Sequence, residues 1–143
     1  MRITYLSFML LFVISSCSGP SSDSKEKSQP IVVEVNVELN NGERWVANPE
    51  TTEGIKNMID HMAAFSSSQK TDSFKTLSDS LNAEFMTIFS KCTMKGEAHE
   101  QLHNYLFPMR AKFKALASDD LDICRSQFDE LELYLATYDD YFE

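Results

Sequence analysis

Hydrophobic and polar residues alternate with a period of two over residues 33–39, where valine or leucine stands at every second position. This is the pattern of a half-buried β-strand. Asn40-Asn41-Gly42 follows, and a second short apolar segment covers residues 44–47. A three-residue loop with Gly42 in the left-handed conformation pairs Val37 with Trp45 and puts the apolar side chains on one face. We therefore predict a short β-hairpin over residues 31–48.

From residue 49 onwards the apolar residues recur every three or four positions, which is typical of amphipathic α-helices. The first stretch has Ile55, Met58, Ile59, Met62 and Phe65; the second Phe74, Leu77, Leu81, Phe85, Ile88 and Cys92; the third Leu102, Leu106, Met109, Phe113 and Leu116; the fourth Leu121, Cys124, Phe128, Leu131, Leu135, Tyr138 and Phe142. Short connections favour antiparallel neighbours. The predicted fold class is mostly α: an up-down four-helix bundle over 49–143, preceded by the hairpin.

Several local signals refine the ends of these helices. Asn48-Pro49 or Thr51 can begin the first helix, and Ser118-Asp119-Asp120 is a cap for the fourth. Pro108 lies inside the third pattern and should kink that helix. Acidic residues at 139, 140 and 143 face the negative end of the fourth helix, so its last turn should fray.

The first sixteen residues have the pattern of a secretory signal peptide. Arg2 precedes an apolar run from Ile3 to Ile14. As a helix this run would be about 18 Å long, which is too short for the ~30 Å hydrocarbon core of a bilayer. A short apolar segment after a basic residue and before small residues indicates export.

Ile14-Ser15-Ser16-Cys17 resembles the lipobox of bacterial lipoprotein precursors. The resemblance implies cleavage before Cys17, a diacylglyceryl group on its sulfur and an acyl chain on its new amino group, which together anchor a protein stably in a membrane. The alternative is an ordinary signal peptide cut near Ser16 or Gly19. Residues 18–30 are small, polar and charged, so we predict that residues 17–30 comprise the lipidated cysteine and a flexible tether.

Charge and motif content exclude several classes of function. The 22 acidic and 13 basic residues give a formal net charge of −9, which disfavours nucleic acid as a partner. The sequence has no G-x-S-x-G, no glycine-rich phosphate loop, no H-E-x-x-H and no C-x-x-C-H. We therefore predict that the protein is not an enzyme.

Two cysteines, Cys92 and Cys124, remain once Cys17 is lipidated. Two cysteines in an exported protein usually form a disulfide. In an up-down bundle, however, the third helix separates them by about 30 Å, whereas a disulfide needs Cα atoms within roughly 7 Å. We therefore predict free thiols and no disulfide.

The residues around the turn between the second and third helices include soft metal ligands. His99 and His103 are four residues apart and share a helix face. With Cys92, and with His61 or Met94 completing the set, they suit copper(I) or zinc. The alternative is that Cys92 is a core residue and the histidines are boundary residues. No motif requires a cofactor, and a metal bound by this cluster would be copper or zinc.

Together these patterns predict a lipoprotein of the bacterial cell envelope, facing the periplasm or exposed at the surface. Its partners would be the lipid bilayer, through acylated Cys17, and another envelope protein. The function predicted is a non-enzymatic binding or structural module, with soft-metal binding as the alternative. A weaker possibility is that the hairpin adds a strand to a partner's sheet.

Overall fold

The computed structural model describes residues 31–66 and 70–143. The predicted signal peptide over 1–16 and the predicted tether over 17–30 lie outside this part of the chain. The described residues form four long helices, α1 (Pro49–Ala64), α2 (Thr71–Lys91), α3 (Glu97–Leu116) and α4 (Leu121–Ala136), and one short helix, α5 (Tyr138–Tyr141). No strand is assigned among them. The mostly α fold class is confirmed.

The four long helices surround one core, and successive helices run antiparallel. Gly54, near the beginning of α1, lies against Ile88, near the end of α2. Ser78, early in α2, donates a hydrogen bond to the Phe113 carbonyl late in α3. Tyr105, in the first half of α3, and Tyr134, near the end of α4, donate hydrogen bonds to each other's backbone carbonyls. Because α1 also packs against α4, the ring of helices is closed.

The core is formed by the apolar stripes that the helical periodicity predicts. Its fully buried large side chains come from all four long helices and from the segment after α5: Ile55, Met58, Leu81, Ile88, Leu102, Tyr105, Leu106, Met109, Leu116, Leu131, Tyr134 and Phe142. No buried side-chain nitrogen or oxygen in the described ranges is without a hydrogen-bond partner. The buried polar groups are therefore satisfied within the fold.

The helix ends follow the predicted signals in part. Asp120 caps α4, because its carboxylate accepts hydrogen bonds from the backbone N–H groups of Asp122 and Ile123. Asn48 precedes α1, and Pro49 occupies the first helical position, where a missing N–H costs nothing. α3 continues through Pro108, which lies on the exposed side of the helix.

The turn after the alternating segment contains two residues. Asn40 and Glu43 pair in antiparallel fashion and exchange two backbone hydrogen bonds of 2.8 and 3.0 Å. Asn41 and Gly42 between them have φ of +52° and +92°, a conformation that Asn and Gly tolerate best. The predicted three-residue loop is therefore wrong, and Trp45 does not pair with Val37 in the described residues.

Trp45 pairs instead with the residues that follow α5. Its backbone N–H donates to the Tyr141 carbonyl and its carbonyl accepts from the Glu143 N–H. A parallel bridge joins Trp45 to Phe142, which is completely buried. The expectation that residues 139–143 fray is wrong, because apolar burial and these bonds hold the segment despite its acidic side chains.

Candidate functional site

One cavity of about 280 Å³ opens between α2 and α3, near the turn that joins them. Three of the five residues predicted as metal ligands line it, namely Cys92, His99 and His103. The remaining lining is apolar and comes from Ile88, Phe89, Leu102 and Leu106. The structure therefore brings a thiol and two imidazoles to one largely apolar pocket.

The local backbone explains how these side chains meet. Cys92 caps the end of α2, and its N–H donates to the Ile88 carbonyl at 2.9 Å. Gly96 has φ of +66° immediately before α3, a conformation that favours glycine. His99 and His103 follow on successive turns of α3, and their ring centroids lie 4.3 Å apart.

His103 is held among aromatic rings. It stacks on Phe89, with centroids 5.4 Å apart and ring planes 17° from parallel, and also contacts Phe107 at 4.7 Å. Burial, and secondarily the neighbouring His99, lower the pKa of His103 below its ordinary value. The imidazole is therefore mainly neutral at pH 7, and it acts in this cluster as a flat, partly apolar ring.

The two residues predicted to complete the set lie elsewhere. Nε2 of His61 is 3.8 Å from Oε1 of Glu84, and His61 lines a different cavity with Phe65 and Leu77. His61 does not line the cavity that Cys92 and the other two histidines share, so it does not complete the predicted ligand set there. Met94 packs as a partly buried apolar side chain against the core.

The described residues contain no group of three or more His, Cys, Asp or Glu side chains arranged to hold a metal ion. Cys92 and Cys124 are both free thiols. Cys124 lies in the first turn of α4, where its Sγ contacts the Ser118 carbonyl at 3.2 Å. Burial raises the pKa of this thiol, which makes it less reactive.

A pair of tyrosines between α3 and α4 was not distinguished by the sequence analysis. The Tyr105 hydroxyl donates to the Tyr134 carbonyl at 3.0 Å, and the Tyr134 hydroxyl donates to the Tyr105 carbonyl at 2.7 Å. Both rings are fully buried, and burial raises the pKa of Tyr134 to about 12. These bonds tie two helices together, so the pair has a structural role.

A second candidate site is the extended chain before the turn, residues 31–37, which we call the edge segment. Val33 and Val35 are half-buried and Val37 is buried against the core, whereas Glu34 and Asn36 are exposed. The alternation is that of a strand, yet no strand partner is found for it in the described part of the chain.

No protein-family model, curated protein or solved structure matches this chain. None of the helices in the described ranges is both long and apolar enough to cross a membrane.

Proposed function

We propose that this chain is a lipoprotein of the bacterial cell envelope, and that its helical domain is a non-enzymatic binding or structural module. The observation that carries the proposal is the sequence Ile14-Ser15-Ser16-Cys17 directly after a short apolar run with a basic start. Acyl chains on Cys17 would hold the protein at a membrane, with each buried CH₂ adding about 0.8 kcal/mol.

The folded domain supports the role of a module rather than a catalyst. Its buried polar side chains bond to the fold itself: Ser78 to the Phe113 carbonyl, and Tyr105 and Tyr134 to each other's carbonyls. Thr51 is fully buried and donates to the Asn48 side chain before α1. These groups stabilise helix contacts.

The spacing between anchor and domain also fits this proposal. Thirteen residues, 18–30, separate Cys17 from the described chain. The tether that their composition predicts would have a root-mean-square span of about 20 Å. The domain would thus work close to the membrane that holds it, within reach of other envelope proteins.

The test is the intact mass of the protein purified from a membrane fraction under non-reducing conditions. We expect the mass of a chain that begins at Cys17 and carries acyl groups. Cys17→Ser should leave the full precursor without acyl groups, whereas the matched variant Cys92→Ser should be acylated normally. A chain that begins elsewhere and carries no acyl group contradicts the proposal.

A second candidate function is binding of copper or zinc, and one observation favours it: Cys92, His99 and His103 line the same cavity. The ring positions in the structure do not form a ready ligand set, so an ion would require the side chains to rotate. Elemental analysis of protein purified without chelator tests this. Less than about a tenth of an equivalent of either metal, unchanged in a His99→Ala/His103→Ala variant, excludes tight binding.

A further inference from the structure

The backbone of the edge segment has unused hydrogen-bonding capacity. No backbone N–H or carbonyl of residues 31–37 has a hydrogen-bond partner in the described part of the protein. Bonding begins only at Glu38, whose N–H donates to Oε1 of Gln101 at 2.9 Å and whose carbonyl accepts from Nε1 of Trp45 at 2.6 Å. Seven consecutive residues therefore present strand-like edges for which residues 31–66 and 70–143 supply no partner strand.

The segment is nevertheless held in position for pairing. Val35 and Val37 pack on the helical core, and the bonds at Glu38 fix the end that precedes the turn. An extended chain that is already ordered loses less entropy when a second strand pairs with it. Rows of free N–H and carbonyl groups on an ordered strand are the usual template for strand addition.

The residues after the turn do not cover this edge. Trp45 and Ala47 direct their N–H groups to residues 141 and 143. No backbone group of residues 44–47 is hydrogen-bonded to residues 31–37 in the described part of the chain. Val46 is 72% exposed. The pairing between Trp45 and the residues after α5 therefore leaves the edge segment open.

The charges of the exposed side chains on the edge segment indicate which kind of strand pairs with it. The outward side chains of the segment and its end are Glu34, Asn36 and Glu38, all exposed, and the exposed Glu43 follows in the turn pair. In cross-strand pairs, opposite charges attract and like charges repel. A second copy of the chain presents the same glutamates and the same net charge of −9, so it is a poor match.

We propose that the edge segment receives a β-strand from a partner protein, and that this strand carries Lys or Arg at alternate positions. The inference rests on the proposed role as a binding module and names the chemistry of its partner. Backbone hydrogen bonds supply the affinity, and the alternating cations facing Glu34 and Glu38 supply the preference.

The experiment uses the mature protein in detergent and a capped nine-residue peptide of alternating lysine and threonine. Trp45 is the only tryptophan of the chain and its ring bonds to Glu38, so its fluorescence reports on the site. Two peptides are controls: one with glutamate in place of lysine, and one with proline in place of threonine, which keeps the charge but lacks the N–H donors. We expect the lysine–threonine peptide to bind at least about tenfold more tightly than either control.

Backbone amide exchange supplies a second readout. In the free protein the amides of residues 31–37 should exchange rapidly, since the described residues offer them no hydrogen-bond acceptor. The bound peptide should protect alternate amides. Glu34→Lys/Glu38→Lys should reverse the preference, so that the glutamate–threonine peptide binds instead. Circular dichroism checks that this double variant keeps its helices.

Three outcomes would overturn the inference. One is equal binding of the proline peptide, which would mean general charge attraction. Another is peptide binding with no protection in residues 31–37. The third is a dimer, seen by sedimentation, that already protects these amides. Peptide binding does not depend on acylation, so an unacylated Cys17 would refute the envelope anchor and leave this inference standing.

Discussion

Gly54 of α1 lies directly against Ile88 of α2, and its replacement by alanine tests this packing. A Cβ atom at position 54 would lie 2.4 Å from Cγ1 and 2.8 Å from Cδ1 of Ile88. Ile88 is fully buried. The position of its Cγ1 is set by χ1, which has one strongly preferred rotamer for isoleucine in a helix. The neighbouring side chain therefore cannot move away freely.

The expected change in stability is the sum of two opposing effects. Overpacking of a buried contact costs about 1–3 kcal/mol, and replacing glycine by alanine inside a helix gains about 1 kcal/mol. Gly54→Ala should therefore lower the free energy of unfolding by about 1 kcal/mol. In an Ile88→Ala background the clash is absent. There the same substitution should raise the free energy of unfolding by about 1 kcal/mol.

The assay is urea unfolding followed by far-UV circular dichroism on four proteins: the parent, each single variant and the double variant. Ile88→Ala alone should cost about 2–5 kcal/mol, and the cycle isolates the contact between the two positions. The decisive result is that Gly54→Ala lowers the free energy of unfolding of the parent protein but raises that of the Ile88→Ala variant. If Gly54→Ala stabilises the parent protein, or acts equally in both backgrounds, the described contact between α1 and α2 is not present.

Further predictions concern pH, a helix cap and the residues after α5. The pKa of Tyr134 is about 12 in the folded protein and about 10 when unfolded. The neutral Tyr134 therefore contributes fully to the free energy of unfolding below pH 10, and this contribution is lost between pH 10 and 12 at up to about 1.4 kcal/mol per pH unit. Tyr134→Phe should reduce this pH dependence in urea titrations. Asp120→Ala removes the cap of α4 and should cost about 1 kcal/mol by the same titration, whereas Asp122→Asn, which keeps the cap, should cost less. Phe142→Ala should cost about 3–5 kcal/mol and shift the Trp45 emission to longer wavelength; unchanged stability would contradict the burial of residue 142.

The helical part of the fold could be predicted because its signals are local. The apolar spacing that includes Met58, Leu81 and Met109 identifies the buried stripes, and all three residues are completely buried. Asp120 was recognisable as a cap because a carboxylate immediately before an apolar helical pattern satisfies free N–H groups. Such signals depend only on neighbouring residues.

The features that could not be predicted depend on contacts between distant residues. The sequence favours pairing of Trp45 with Val37 because this register collects apolar side chains on one face. In the structure the backbone groups of Trp45 bond instead to Tyr141 and Glu143. Nothing near position 45 in the sequence indicates that pairing. The helical periodicity also leaves the registry of α1 against α2 undefined. In the structure this registry places His61 beside Glu84 and not at the cavity that Cys92 lines.

The parallel bridge between Trp45 and Phe142 also has a consequence for the order of folding. Trp45 and Phe142 are almost a hundred positions apart in the sequence. Closing the loop between them carries a large entropic cost, and the contact contributes no stabilising energy until both residues have been synthesised. During synthesis, the ribosome releases residue 142 long after α1 has emerged. A nascent chain that stops before residue 142 would lack this bridge, so the long helices would form before the contact that joins the two ends of the described domain.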